Sequence, residues 1–180
     1  MTAYDRSISS QDVDIGQFRT ALRQLAGAVS VITAGAGEAR AGLTATSVTS
    51  FSAEPPTILV SVNMAASAYP TILANRHFAA NILADHQQPV ADRFAGRLGL
   101  KGAERYQGAE WRTLASGAPA LVGALAVIDA EIEDIIERHS HALLIGRVKA
   151  VEADQNAGAL LYWRGAYERF QGSPQAADGI

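Results

Sequence analysis

Cysteine is absent from all 180 residues. That excludes disulfides, thiolate nucleophiles, iron–sulfur clusters and most structural zinc sites, and it is compatible with a reducing, cytoplasmic setting. Positive charge is scarce too: the net charge is -3 and the pI about 5.8, with no basic surplus for nucleic acid. No apolar run reaches the roughly 18 residues that span a bilayer, so no membrane association is expected. The first residues, "MTAYDRSISSQDVD", lack the apolar stretch of a secretory signal. Histidines number four, and "HSH" at His139–His141 offers two ligands without a third, so no metal site is expected. There is no HExxH, GxSxG or Walker motif.

What is present is a chain 48% hydrophobic, long enough for one domain with a real core. The expected domain covers 12–170, with flexible tails at 1–11 and 171–180. Ile15, Phe18, Leu22 and Leu25 recur at helical spacing, with Asp12 or Asp14 to begin the helix and Gly27 to end it. "AVSVITA" (28–34) is expected as a strand, "GAGEAR" as a turn, and "AGLTATSVTSF" (41–51) as one further strand ended by Pro55 and Pro56. "TILVSVN" (57–63) and "FAANILA" (78–84) continue the pattern, separated by a short helix starting near Ser67 or Ala68. A second short helix lies in "QQPVADRFAG". The Gly-rich stretch 97–119 is expected as a binding or lid loop. "AVIDAEIEDIIE" alternates with a period of two, with Asp129, Glu131 and Glu133 on the wet side. After a link of three to four residues, "HALLIGRVKAVEA" makes its hairpin partner, and a last strand spans 166–170. The fold class is mainly β, an antiparallel β-barrel or sandwich with peripheral helices.

The segment 41–51 carries five hydroxyl side chains and no charge. Such a segment either packs as an ordinary Thr/Ser strand or forms an uncharged wall for a ligand that brings its own reactivity. The acidic run Glu131, Glu133, Asp134, Glu137 reads either as an acid/base pair or as the wet face of a strand.

The order of "FRTALRQLAGAVSVITAG", "GLTATSVTSFSAEPPTILVSVN", Ser67, "HFAANILADHQQPVADRFAG", "HALLIGRVKAVE" and "LLYWRGAY" resembles the short-chain flavin reductase family, over about 18–170. The resemblance implies an FMN-binding split β-barrel of Greek-key type, acting as a homodimer. It implies hydride transfer from NADH or NADPH to FMN, FAD or riboflavin, with reduced flavin passing to a flavin-dependent monooxygenase. By the same resemblance Thr44, Ala45, Thr46 and Ser47 line the flavin ring and ribityl chain, and Ser61, Val62 and Asn63 form the next wall. Ser67 corresponds to a serine near the flavin phosphate. Asn81 and Leu83 match the Asn-x-Leu strand and Phe94 the "RFA" helix, with Arg93 as a further phosphate candidate or a solvent-facing arginine. His141 matches a histidine that positions the nicotinamide, with no dedicated acid or base, and Tyr167 a tyrosine near the same place. The chain departs from the family in lacking Gly-Asp before His141 and a charged residue before Ser67. Two other readings stay open: a non-enzymatic FMN or electron-transfer protein on the same barrel, and an interaction domain with no cofactor.

Overall fold

The computed structural model describes residues 13–172; the proposed tails lie almost wholly outside this range. The elements are α1 (Ile15–Leu22), β1 (Gly27–Ala28), β2 (Ser30–Ala34), β3 (Ala41–Ala45), β4 (Val48–Ala53), β5 (Pro56–Asn63), α2 (Tyr69–Asn75), β6 (His77–Ile82), α3 (Gln88–Phe94), β7 (Trp111–Thr113), β8 (Pro119–Leu121), β9 (Ala126–Arg138), β10 (His141–Ala153), β11 (Ala159–Trp163) and β12 (Ala166–Phe170). The fold is mainly β with antiparallel sheets.

The principal sheet has the order β3-β2-β6-β9-β10-β5-β4. Its two edge strands are neighbours in sequence, because β3 ends at Ala45 and β4 begins at Val48. Three residues reach at most about 10 Å, whereas a flat seven-stranded sheet would hold its edges about 29 Å apart. The sheet therefore curls, bringing the end of β3 and the start of β4 within about 10 Å of each other. The hydroxyl segment read as one strand is thus one extended run shared between two edges: its first half pairs with β2, its second with β5. A break at Thr46 and Ser47 lets it change partners.

The curl separates two cores. Ile32, Val60, Val62, Phe78 and Leu144 pack inside with Ile72 of α2. Val29, Val31, Leu83, Phe94, Tyr106, Leu121 and Leu160 form a second core outside β2 and β6. Strand β2 is buried along its whole length because it faces both. Burying each such aliphatic side chain contributes about 1.5–3 kcal/mol.

Close backbone approach explains two glycines. A Cβ on Gly42 would sit 2.8 Å from the Ile32 carbonyl and from the Phe94 ring. Gly35, at φ +75°, turns the β2–β3 connection where a Cβ would meet the Ala39 carbonyl at 2.8 Å.

Several expectations are corrected. Helix α1 forms, with Asp14 Oδ1 accepting from the Gln17 N–H at 2.8 Å, but its apolar face is not buried: Ile15, Phe18, Leu22 and Leu25 are all exposed. The stretch 97–119 is not an open loop. It holds a 3-10 turn (Gly102–Tyr106) and strand β7, and Arg105 and Tyr106 are buried. The Tyr106 hydroxyl donates to the Ala41 carbonyl (2.6 Å), and Arg105 donates to the Gly42 carbonyl (2.8 Å). Asp129, expected in water, is fully buried and accepts from the Ser116 N–H (2.7 Å) and hydroxyl. A carboxylate is stable there because those donors replace water. Glu131 and Glu133 do face solvent, paired with Lys149 (3.2 Å) and Arg147 (2.6 Å). The β9–β10 link is only His139 and Ser140. "LLYWRGAYERF" forms two strands, β11 and β12, rather than one.

Candidate functional site

Two hydroxyls of the 44–47 segment are used by the fold. Thr44 Oγ1 donates to the Ala91 carbonyl (2.7 Å), tying β3 to α3. Ser47 Oγ donates to the Ser61 carbonyl (2.7 Å), joining the break in the shared strand to β5. Each hydroxyl keeps lone pairs for a further donor. Thr46 is exposed at the break.

Beside this segment lies a cavity of about 230 Å³, lined by Val29, Thr44, Ala45, Thr46, Ala95, Arg97, Tyr162 and Tyr167. Val29 comes from the β1–β2 junction, Ala95 and Arg97 from the end of α3, and the tyrosines from β11 and β12. Tyr162 and Tyr167 are register partners, with ring centroids 5.3 Å apart and planes at 67°. Arg164 (φ +50°) and Gly165 (φ +94°) make the tight turn that sets this register. Burial, reinforced by the Asp92 carboxylate, pushes the Tyr167 hydroxyl above its ordinary pKa, so it stays a proton-bearing donor at neutral pH. The Tyr162 hydroxyl, followed by Tyr167 and Asp92, holds the exposed Arg97 guanidinium more firmly charged. Apart from Arg97 the lining carries no formal charge.

The second group of sequence candidates lies along β5 and β10. Ser61, Val62 and Asn63 pair with Leu143, Ala142 and His141. Asn63 Oδ1 accepts from the Ala65 N–H (2.9 Å), and the Met64 N–H donates to the Ser140 carbonyl (3.0 Å), fastening the hairpin tip to the β5–α2 connection. His141 is exposed, with Nδ1 2.9 Å from Ser140 Oγ. Ser67 is exposed, and Ala68, not Ser67, caps α2. The Ser47–Ser61 bond connects this rim to the cavity segment.

The remaining candidates stand behind the cavity. Leu83 and Phe94 are core residues. Asn81 is fully buried: its amide donates to the Val31 carbonyl (2.9 Å) and Thr33 Oγ1 (3.1 Å), and its oxygen accepts from the Leu121 N–H (2.7 Å). Arg93 is spent on the Arg105 carbonyl (3.0 Å) and the Glu104 carbonyl. Tyr167 lines the Thr44–Thr46 cavity, whereas His141 sits on the rim with Asn63. Sequence reading missed Val29, Ala95, Arg97 and Tyr162. For Tyr162 a signal existed: the Arg-Gly pair in "YWRGAY" is a two-residue hairpin turn, which places Tyr162 opposite Tyr167.

The family model "Flavin reductase like domain" matches residues 22–171. The chain belongs to the flavin reductase-like domain family. Among curated relatives of this flavin reductase, "FMN reductase (NADH) RutF 2" of Methylorubrum extorquens (strain PA1) is 42% identical over 156 residues, covering 87% of this chain and 90% of the relative. Among solved structures, BorF, the flavin reductase component of a bacterial two-component tryptophan halogenase, superposes with a TM-score of 0.81 at 30% identity, covering 89% of this chain and 100% of that one. The NADH:FAD oxidoreductase SgcE6 of Streptomyces globisporus C-1027, solved with NAD and FAD fragments, gives a TM-score of 0.80 at 29% identity, covering 92% and 96%.

Proposed function

We propose that this chain is an NADH:FMN oxidoreductase that passes reduced flavin to a partner monooxygenase. The observation that carries the reading is the chemistry of the cavity: hydroxyls, two tyrosines and a small apolar wall, with one arginine as its only charge. That donor set fits a neutral ring edged with carbonyls and N–H groups. The relative's activity, FMN reduction by NADH, favours NADH and FMN among the cofactors that the sequence leaves open.

When bound, FMN supplies a ring that accepts a hydride from the nicotinamide, which is oxidised as the flavin is reduced. The chain's own part is positioning. Thr44, Ala45 and Thr46 would hold the ring and ribityl chain, with Ser47, Ser61, Val62 and Asn63 as the adjoining wall. Thr44 is itself fixed by Ala91, so the wall is preorganised. Tyr162 and Tyr167 would exclude water from the other side, and Tyr167 keeps its proton as a donor. His141 would position the nicotinamide from the rim. Ser67 would lie near phosphate, while Asn81, Leu83 and Phe94 would support the wall from behind. No side chain has to move a proton for hydride transfer, which asks for distance and alignment.

The curled sheet reads as a split barrel of Greek-key type within one domain, 12–170. The exposed apolar residues of α1 suit a homodimer, and the NADH requirement suits the cytoplasm. Among the described residues no helix is long and apolar enough to cross a membrane.

The test is NADH oxidation by the purified chain with and without added FMN. Flavin-dependent oxidation is expected. Tight FMN binding with no oxidation would favour the alternative of a non-enzymatic flavin carrier. Light scattering at a monomer mass would remove the homodimer.

A further inference from the structure

Two cavities meet at one arginine. The cavity between Thr44 and Tyr167, at about 230 Å³, is smaller than the roughly 300–1,000 Å³ that houses a whole ligand. It has room for part of a nucleotide. A second cavity of about 380 Å³ runs beside α3 and the residues that follow it, bordered by Pro89, Asp92, Arg93 and Leu98. Arg97 borders both. From the geometry we propose that Arg97 is a phosphate-binding residue, taking the phosphate of a nucleotide whose tail enters the second cavity beside the filled first one.

This assignment rests on the flavin reductase reading and adds a residue to it. Three observations support it. Arg97 is the single charged side chain on the first lining, so an anion leaving that cavity meets no other cation there. It is exposed, so a phosphate can be met at the mouth without desolvating a buried charge. The neighbouring Arg93, which also borders the second cavity, is held by the Glu104 and Arg105 carbonyls. Arg93 therefore fixes the chain and leaves the anion to Arg97. The chemistry recognised is a phosphate ester. Its source is either the flavin 5′-phosphate or the nicotinamide dinucleotide.

The experiment measures flavin-fluorescence titrations of FMN and riboflavin, and steady-state KM values for NADH and for dihydronicotinamide riboside, which has no phosphate. Wild type, Arg97→Met and Arg97→Lys are compared. A charge-assisted contact at an exposed mouth predicts a loss of about tenfold in Arg97→Met, with partial recovery in Arg97→Lys. If the flavin supplies the phosphate, FMN weakens and riboflavin does not. If the dinucleotide supplies it, the KM for NADH rises and that for the riboside does not. In either case higher salt narrows the difference between phosphorylated and unphosphorylated ligand in wild type but not in Arg97→Met. Equal changes for ligands with and without phosphate, or no change for any, would overturn the assignment while leaving the flavin reading intact. Wild type that quenches neither flavin would remove the flavin reading and this inference together.

Discussion

Around Thr44–Thr46 the chain encloses a cavity, with β3, the end of α3 and the β11–β12 hairpin on its sides. Around His141 it offers only the open rim of β5 and β10, where the histidine is exposed. The first region is preorganised: Thr44 is pinned to Ala91, and the two tyrosines are held in register by a tight turn. In the second, the backbone is pinned, and the exposed histidine side chain is hydrogen-bonded, among the described residues, to its neighbour Ser140. On the reading proposed above, the flavin side is ready before binding and the nicotinamide side is completed by its ligands. Preorganisation lowers the entropy lost on binding, so affinity is expected to reside mainly in the cavity.

The comparison can be broken most severely at Thr46. Thr46→Trp fills the exposed mouth without touching either core, and is expected to weaken FMN at least about a hundredfold with an unchanged circular dichroism spectrum. Fluorescence titration checks it; unaltered FMN affinity would move the flavin out of the cavity. Next is the supporting layer. Asn81→Ala strands the Val31 carbonyl and the Leu121 N–H, and is expected to cost about 2–4 kcal/mol in urea unfolding. Flavin affinity per folded molecule should change little.

A third prediction concerns alkali. Burial raises the Tyr106 hydroxyl above its ordinary pKa, and does the same for Tyr167. The unfolded chain ionises first, so this stability is fully present below about pH 10 and is lost as pH climbs beyond it. Tyr106→Phe should cost about 1 kcal/mol at neutral pH, since the Ala41 carbonyl loses its donor. The same variant should also show a shallower alkaline fall in Tm. On the rim, His141→Ala should raise the KM for NADH about two- to fivefold and leave FMN affinity alone. An equal loss in both would erase the distinction between the two regions. The smallest effect is expected at exposed Ser67: Ser67→Asp should weaken FMN by about twofold, and by less in high salt.

Much of the strand pattern was legible, because period-two alternation and β-branched residues mark β9, β10 and β5 directly. The apolar periodicity of α1 was legible as a helix but not as an exposed one, since periodicity says which residues share a face and not what covers it. The segment 41–51 reads as a single strand because locally it is extended on both sides of Thr46 and Ser47; its exchange of partners there is a property of the curled sheet. Asp129 reads as wet by alternation, and only the distant Ser116 makes its burial tolerable. In the site, Thr44, Ala45, Thr46 and Tyr167 meet in one cavity. Their neighbours Arg97 and Val29 lie in segments read as a Gly-rich loop and a strand, and neither residue is marked there as a lining residue; α3 and the β1–β2 junction bring them to the cavity.

The most direct test of the central claim is a crystal structure of the chain with FMN. The account predicts the flavin ring in the cavity between Thr44–Thr46 and the Tyr162–Tyr167 pair. A ring bound against Asn63 and His141, with that cavity closed by its own side chains, would contradict it.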